Sequence, residues 1–277
     1  MQYNFARFIF PLILLLPFPA LSAVKHEIVH YQTTDGHKMR GYIAFSETFP
    51  SPRPVVIVVH EWWGLNDYAM KRANMLAEAG YLAFAIDMYG EGKKAEHPDN
   101  AKKFAQEATQ KWPIAQKRFQ AALDTIKQHP KADKALIAAI GYCFGGGVVL
   151  QMARMGEPLT AVASFHGSLK PVGKPAQASS LKAAIRVFNG ADDKMITTDD
   201  ISAIKQEMQK ANANFKLYNY PNAKHSFTNP AADQIAKQFS LPVGYNAEAD
   251  QDSWQKLLEF LAVQFERAMP EPIPNEP

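Results

Sequence analysis

Short, continuous apolar runs recur along the chain and alternate with stretches of helical period. VVIVVHEWWG, YLAFAIDMYG, ALIAAIGYC, AVASFHG, AAIRVFNG and FKLYNYP do not alternate apolar with polar positions. Strands covered by helices on both faces have this pattern. Between and after them, apolar residues repeat with helix spacing over 68–78, 99–128, 145–155, 199–211 and 246–268. Pro113 falls inside the second stretch and predicts two helices rather than one. Near the N-terminus the pattern changes. HEIVHYQT and KMRGYIAFS alternate and flank Thr34-Asp35-Gly36, which predicts an antiparallel hairpin at a sheet edge. The fold class expected is α/β: a mostly parallel, doubly wound sheet with an N-terminal antiparallel hairpin.

The first 23 residues, MQYNFARFIFPLILLLPFPALSA, stand apart. One charge (Arg7), an apolar run and small residues ending at Ala23 read as a secretory signal peptide cleaved near Ala23. Pro11, Pro17 and Pro19 interrupt the segment, and a span needs about 20 predominantly apolar residues, so no stable membrane anchor is expected. The chain is therefore read as signal peptide 1–23, one domain over 24–268 and a tail over 269–277, exported to the periplasm or medium. No internal repeat or low-complexity linker argues for a second domain, and a monomer is expected.

Composition removes several classes. Of 277 residues, 47% are hydrophobic and 21% charged, which is too apolar for a disordered chain. A net charge of +3 from 30 basic and 27 acidic residues is too small and dispersed to mark a nucleic-acid binder. The single cysteine, Cys143, excludes an intramolecular disulfide and a cysteine-based zinc cluster. His26, His30 and His37 straddle the hairpin without a carboxylate or cysteine partner and read as a solvated strand face. No metal and no cofactor are expected.

The position of Cys143 carries chemistry. Gly141-Tyr142-Cys143-Phe144-Gly145 lies where a strand meets a helix and matches the nucleophile elbow G-x-S-x-G of α/β-hydrolases, with sulfur in place of oxygen. So sharp a turn crowds the residues two before and two after the tip, which must lack side chains. The tip exposes the thiol at a helix N-terminus, where negative charge is favoured. A buried structural cysteine is the competing reading, and the elbow context outweighs it. Downstream, AAIRVFNG ends in Ala191-Asp192-Asp193, and FKLYNYP precedes Lys224-His225-Ser226. An acid and a base thus follow the cysteine in the chain order of the fold, each beyond a strand C-terminus. His225 is the base; Asp193 and Asp192 compete for the acid. His60-Glu61-Trp62-Trp63-Gly64 follows the strand whose loop supplies one oxyanion-hole amide, the residue after the nucleophile supplying the other. Those are the backbone N–H groups of Trp62 and Phe144. Glu61 falls close to the thiol, where a carboxylate has a purpose if it controls the proton. Trp62, Trp63 and Tyr89 are candidates for aromatic pocket walls.

HEWWGLN, DMYGEGK, GYCFGGG, GADD and KHSF together resemble the dienelactone hydrolase family of α/β-hydrolases, from roughly residue 54 to 227. The resemblance implies a Cys143–Asp193–His225 triad, with Asp193 preferred because the family's acid stands three residues after a glycine, here Gly190. It also implies that Glu61 contacts the resting thiol and moves when substrate binds. Members that take dienelactone hold its carboxylate with two arginines, one after the D-x-Y segment and one four residues after the histidine. This chain has Glu91 and Asn229 there, both counted as candidate pocket residues.

The function these readings support is cysteine-dependent hydrolysis of a small activated ester or lactone through a thioester acyl-enzyme. A thiolate is a better leaving group than an alkoxide, so enolate, phenolate or thiolate leaving groups suit it best. Two other classes use the same residues: an exported thiol-based redox or detoxifying protein, and a non-catalytic binding protein that keeps the elbow as architecture.

Overall fold

The computed structural model describes residues 24–173 and 175–269. The expected signal segment 1–23, and all of the expected tail except Met269, lie outside the described residues. The chain begins with β1 (Val24–Gln32) and β2 (Lys38–Ser46), an antiparallel pair with Val24 opposite Ser46. Then follow β3 (Arg53–Val59), α1 (Asp67–Glu78), β4 (Leu82–Ile86), α2 (Pro98–Thr109), α3 (Trp112–Lys127), β5 (Ala132–Tyr142) and α4 (Phe144–Arg154). The remainder is β6 (Ala161–Phe165), β7 (Ala184–Gly190), α5 (Thr198–Lys210), β8 (Phe215–Tyr220), α6 (Ala232–Phe239) and α7 (Ala247–Ala268). The sheet has eight strands in the order β1-β2-β4-β3-β5-β6-β7-β8. β2 is antiparallel to β1 and β4, and every other pairing is parallel.

Both faces of the sheet are buried, which is why its central strands carry no polar alternation. In β3, Val55, Ile57 and Val59 join a core with Phe119 and Ile126 of α3, while Val56 and Val58 face Leu76 of α1 and, across the same layer, Leu261 of α7. Proline does divide the long helical stretch: Pro98 and Pro113 occupy the first turns of α2 and α3, where a missing N–H costs nothing. The pattern did not anticipate α6. It has eight residues, and its apolar positions Ala232, Ile235 and Phe239 sit among polar ones, too short a run for periodicity to stand out.

The strand order places the C-terminal ends of β3, β5, β7 and β8 along one edge of the sheet. The loops leaving these four ends carry His60–Trp62, Cys143, Asp193 and His225.

Candidate active site

Cys143 sits between β5 and α4 with φ 52° and ψ −115°, a conformation that L residues with side chains adopt at a cost. Gly141 and Gly145 explain how the chain tolerates this turn. A Cβ on Gly141 would lie 2.1 Å from the Gly145 carbonyl oxygen, and one on Gly145 would lie 2.3 Å from that of Val59. The elbow is pinned from below. The Cys143 N–H donates to the Phe165 carbonyl at 3.0 Å and to His166 Nδ1 at 3.1 Å. His166 is fully buried, and its Nε2 lies 2.7 Å from Thr228 Oγ1. Because Nδ1 accepts, Nε2 carries the proton and donates; burial holds this ring well below the usual imidazole range.

Asp193 and His225 meet as expected. His225 Nδ1 lies 2.8 Å from Asp193 Oδ2, and Asp193 Oδ1 accepts the Met195 N–H at 2.8 Å. The Asp193 carboxylate is wholly buried, whereas Asp192 is exposed and offers only its backbone to Ala223. The other ring nitrogen of His225 is buried without a hydrogen-bond partner among the described residues. It is close enough to Cys143 for the sulfur's charge to act on the ring, although no hydrogen bond of good geometry joins them. Burial opposes a charged imidazole here. The charge of Cys143 and the hydrogen bond that the ring donates to Asp193 outweigh it and raise His225 to about 10.

Glu61 has hydrogen-bond partners that the resemblance does not imply. Its carboxylate accepts from Ser226 Oγ at 3.1 Å and from Asn229 Nδ2 at 2.7 Å, and it makes no hydrogen bond to Cys143. Two donors on the loop after β8 thus satisfy both of its oxygens. Burial raises its pKa, against the pull of Asn229 and the His225 charge.

The loop after β3 is fixed by His60. Its Nε2 accepts the Met88 N–H at 3.1 Å, so Nδ1 carries the proton and donates to the Glu61 carbonyl. Burial keeps the ring below its usual range and neutral. The peptide that follows is held from its far side, where Tyr89 OH donates to the Trp62 carbonyl at 2.9 Å. The N–H groups of Trp62 and Phe144 have no acceptor among the described residues. Phe144 follows the cysteine in the chain, and Trp62 lines the same cavity as the thiol.

A compact cavity of about 50 Å³ opens at the thiol, lined by Trp62, Trp63, Cys143, Met195, His225, Ser226 and residues of the α6 region. Of the five pocket residues read from sequence, Trp62 and Trp63 line it, and Tyr89, Glu91 and Asn229 do not. Tyr89 is buried against His60, Phe104 and Phe144. Glu91 is exposed, its N–H bonded to the Lys38 carbonyl beside the hairpin. Asn229 is committed to Glu61. Sequence reasoning missed His60 and His166 as positioning groups, and missed Met195, Ile235, Leu241 and Val243 as walls. The Ala232, Ile235, Phe239 spacing was the one signal available for the α6 wall. Among the described residues no group of three or more His, Cys, Asp or Glu side chains converges as a metal site would need.

A strained cysteine elbow, a His–Asp pair and two unpaired amides at one edge of a mostly parallel sheet define an α/β-hydrolase. Residues 39–265 match the family model described as the dienelactone hydrolase family, and the chain belongs to that family. It is 28% identical over 253 residues to a Yersinia pestis protein provisionally assigned as a carboxymethylenebutenolidase, covering 88% of this chain and 90% of that protein. Among solved structures, a dienelactone hydrolase-like promiscuous phosphotriesterase from metagenomic libraries superposes with TM-score 0.81 at 32% identity, covering 87% and 99% of the two chains. A dienelactone hydrolase homologue from Klebsiella pneumoniae, at 24% identity and TM-score 0.73, shares the fold.

Proposed function

We propose that this protein hydrolyses small activated carboxylic esters or lactones with Cys143 as nucleophile, His225 as acid and base, and Asp193 as the group that orients His225. The observation that carries this reading is the His225 ring, held through Nδ1 by a buried carboxylate with its other nitrogen turned to the sulfur at the elbow. A protonated ring beside the sulfur stabilises the thiolate. The thiolate attacks the carbonyl carbon, and the amides of Trp62 and Phe144 receive the charge on oxygen. The tetrahedral adduct expels the enolate or phenolate, leaving a thioester on Cys143. Forming the thioester removes the negative sulfur, the strongest influence raising the His225 pKa. The ring then releases its proton to the departing oxygen and becomes the base for the water that cleaves the thioester. Glu61 stands in the loop after β3 as a buried carboxyl whose oxygens Ser226 and Asn229 satisfy.

The test is turnover of chromogenic aryl esters by the wild type, Cys143→Ala and His225→Ala. Loss of turnover in both variants supports the reading. Equal inactivity of all three on esters, lactones and thioesters removes it. Peroxide consumption with a stable sulfenate would favour a redox protein instead.

A second reading extends the same nucleophile to uncharged aryl phosphotriesters. It is favoured by the 32% identity to a chain named as a promiscuous phosphotriesterase, 99% of which is covered. For localisation, the proposal is export after cleavage near Ala23, as a monomer; the mass of the mature protein and light scattering test both. No helix among the described residues is long and apolar enough to cross a membrane.

A further inference from the structure

The cavity at Cys143 has a wall chemistry that selects among esters. Apart from Cys143, His225 and Ser226, its lining is Trp62, Trp63, Met195, Ile235, Leu241, Val243 and Ala232, with no lysine or arginine. The apolar wall is continuous with a cluster in which Ile235 and Phe239 of α6 and Leu241 pack on both tryptophans and on Ala101 and Phe104 of α2. Lys94 borders an open groove on the outer side of Trp63 and Ile235, and Lys224 packs beside Gly244; neither lines the cavity. Arg72, whose guanidinium bonds the Thr228 carbonyl in the His225 loop, is buried, paired with Asp250, and stacked on Tyr68, Tyr142 and Trp254. The lining holds no acid, and the acids of the adjoining loops, Glu61 and Asp193, are both buried.

Resting on the hydrolase reading, we propose that the site takes uncharged, apolar acyl compounds and rejects substrates that carry a carboxylate next to the scissile bond. A carboxylate brought against these walls would lose its water and find no cation or donor beyond the groups the reaction itself uses, the His225 ring and the two free amides. It would also lie near the thiolate, because Cys143 lines the same cavity. A neutral amide or aryl group of the same size pays no such penalty and gains contact with the tryptophans and Ile235.

The probe is a pair of near-isosteric esters, 3-acetoxybenzamide and 3-acetoxybenzoate, each rate divided by its own hydroxide-catalysed rate. The expected wild-type kcat/KM favours the benzamide by at least about 100-fold. Replacing a wall residue with a cation, Ile235→Arg or independently Leu241→Lys, should narrow that ratio about tenfold or more by raising the benzoate rate. A wild-type ratio near one overturns the inference while leaving the hydrolase reading intact. If neither ester turns over, it is the hydrolase reading that fails. Binding then decides the inference: 3-hydroxybenzamide should slow iodoacetamide alkylation of Cys143 and 3-hydroxybenzoate should not. Equal protection by both overturns it.

Discussion

Asn229 Nδ2 donates to Glu61 Oε2 at 2.7 Å, and this bond, with Ser226 on the other oxygen, satisfies a carboxyl buried in the loop after β3. Asn229→Ala removes a donor from a group that is 1% exposed. Leaving a buried polar group unpaired costs about 1–3 kcal/mol. Glu61 is raised above its ordinary range by burial, so its ionisation works against folding as pH rises through that range, and losing Asn229 enlarges the cost. Urea denaturation should show Asn229→Ala less stable than wild type, with a gap that widens from acidic to neutral pH. A pH-independent gap would mean that Glu61 is not the group affected.

His225 supplies a second pH signature. Its pKa is raised to about 10, with Cys143 the largest contribution on the raising side. The sign follows: the protonated ring is retained through neutrality and lost as pH passes about 10, so kcat/KM for an aryl ester should not fall between about pH 7 and pH 9 and should decline beyond. Any stability drawn from the charged ring is complete below its ordinary pKa of 6.5 and disappears over the same upper window. In Cys143→Ala the raising charge is gone, and NMR titration of the His225 ring should move down towards or below the ordinary imidazole range. An unchanged midpoint would contradict the coupling.

The elbow glycines make a controlled comparison. A Cβ at Gly145 meets the Val59 carbonyl oxygen at 2.3 Å, whereas one at Gly147 meets nothing closer than Ser168 Cβ at 3.4 Å. Gly145→Ala should destabilise by about 1–3 kcal/mol or more through forced backbone shifts. Gly147→Ala, in the same helix turn, should be close to neutral in thermal melts.

Away from the site, Arg154 Nε and Nη2 bind Glu207 Oε1 and Oε2 at 3.1 and 2.8 Å, joining α4 to α5 in the interior, and Glu207 also accepts the Ala176 N–H. Arg154→Met strands that carboxylate and should cost about 3–5 kcal/mol in denaturant titration. A loss under about 1 kcal/mol would mean the pair is solvated rather than buried.

Much of this was legible because each feature had a local cause. Residue runs without alternation marked strands covered on both faces, Pro113 marked a helix boundary, and Gly141 and Gly145 marked a turn too tight for a Cβ. Asp193 was separable from Asp192 by family resemblance alone, and burial of one and exposure of the other is a tertiary fact. What stayed hidden depended on long-range partners. Asn229 bonds across 168 residues to Glu61, His166 holds an elbow 23 residues upstream, and the α6 wall has too few residues for a period to register. Glu91, placed by resemblance in the pocket, is drawn to the hairpin by its N–H bond to Lys38, a contact that residue spacing does not encode.

The account turns on whether sulfur at the elbow carries the acyl group. The direct measurement is mass spectrometry of protein quenched with acid during turnover of an aryl acetate, followed by peptide mapping. The account predicts one acetyl group on the peptide that contains Cys143, absent in Cys143→Ala, which is also inactive. An acetyl group mapped to another residue, or undiminished turnover by Cys143→Ala, would contradict it.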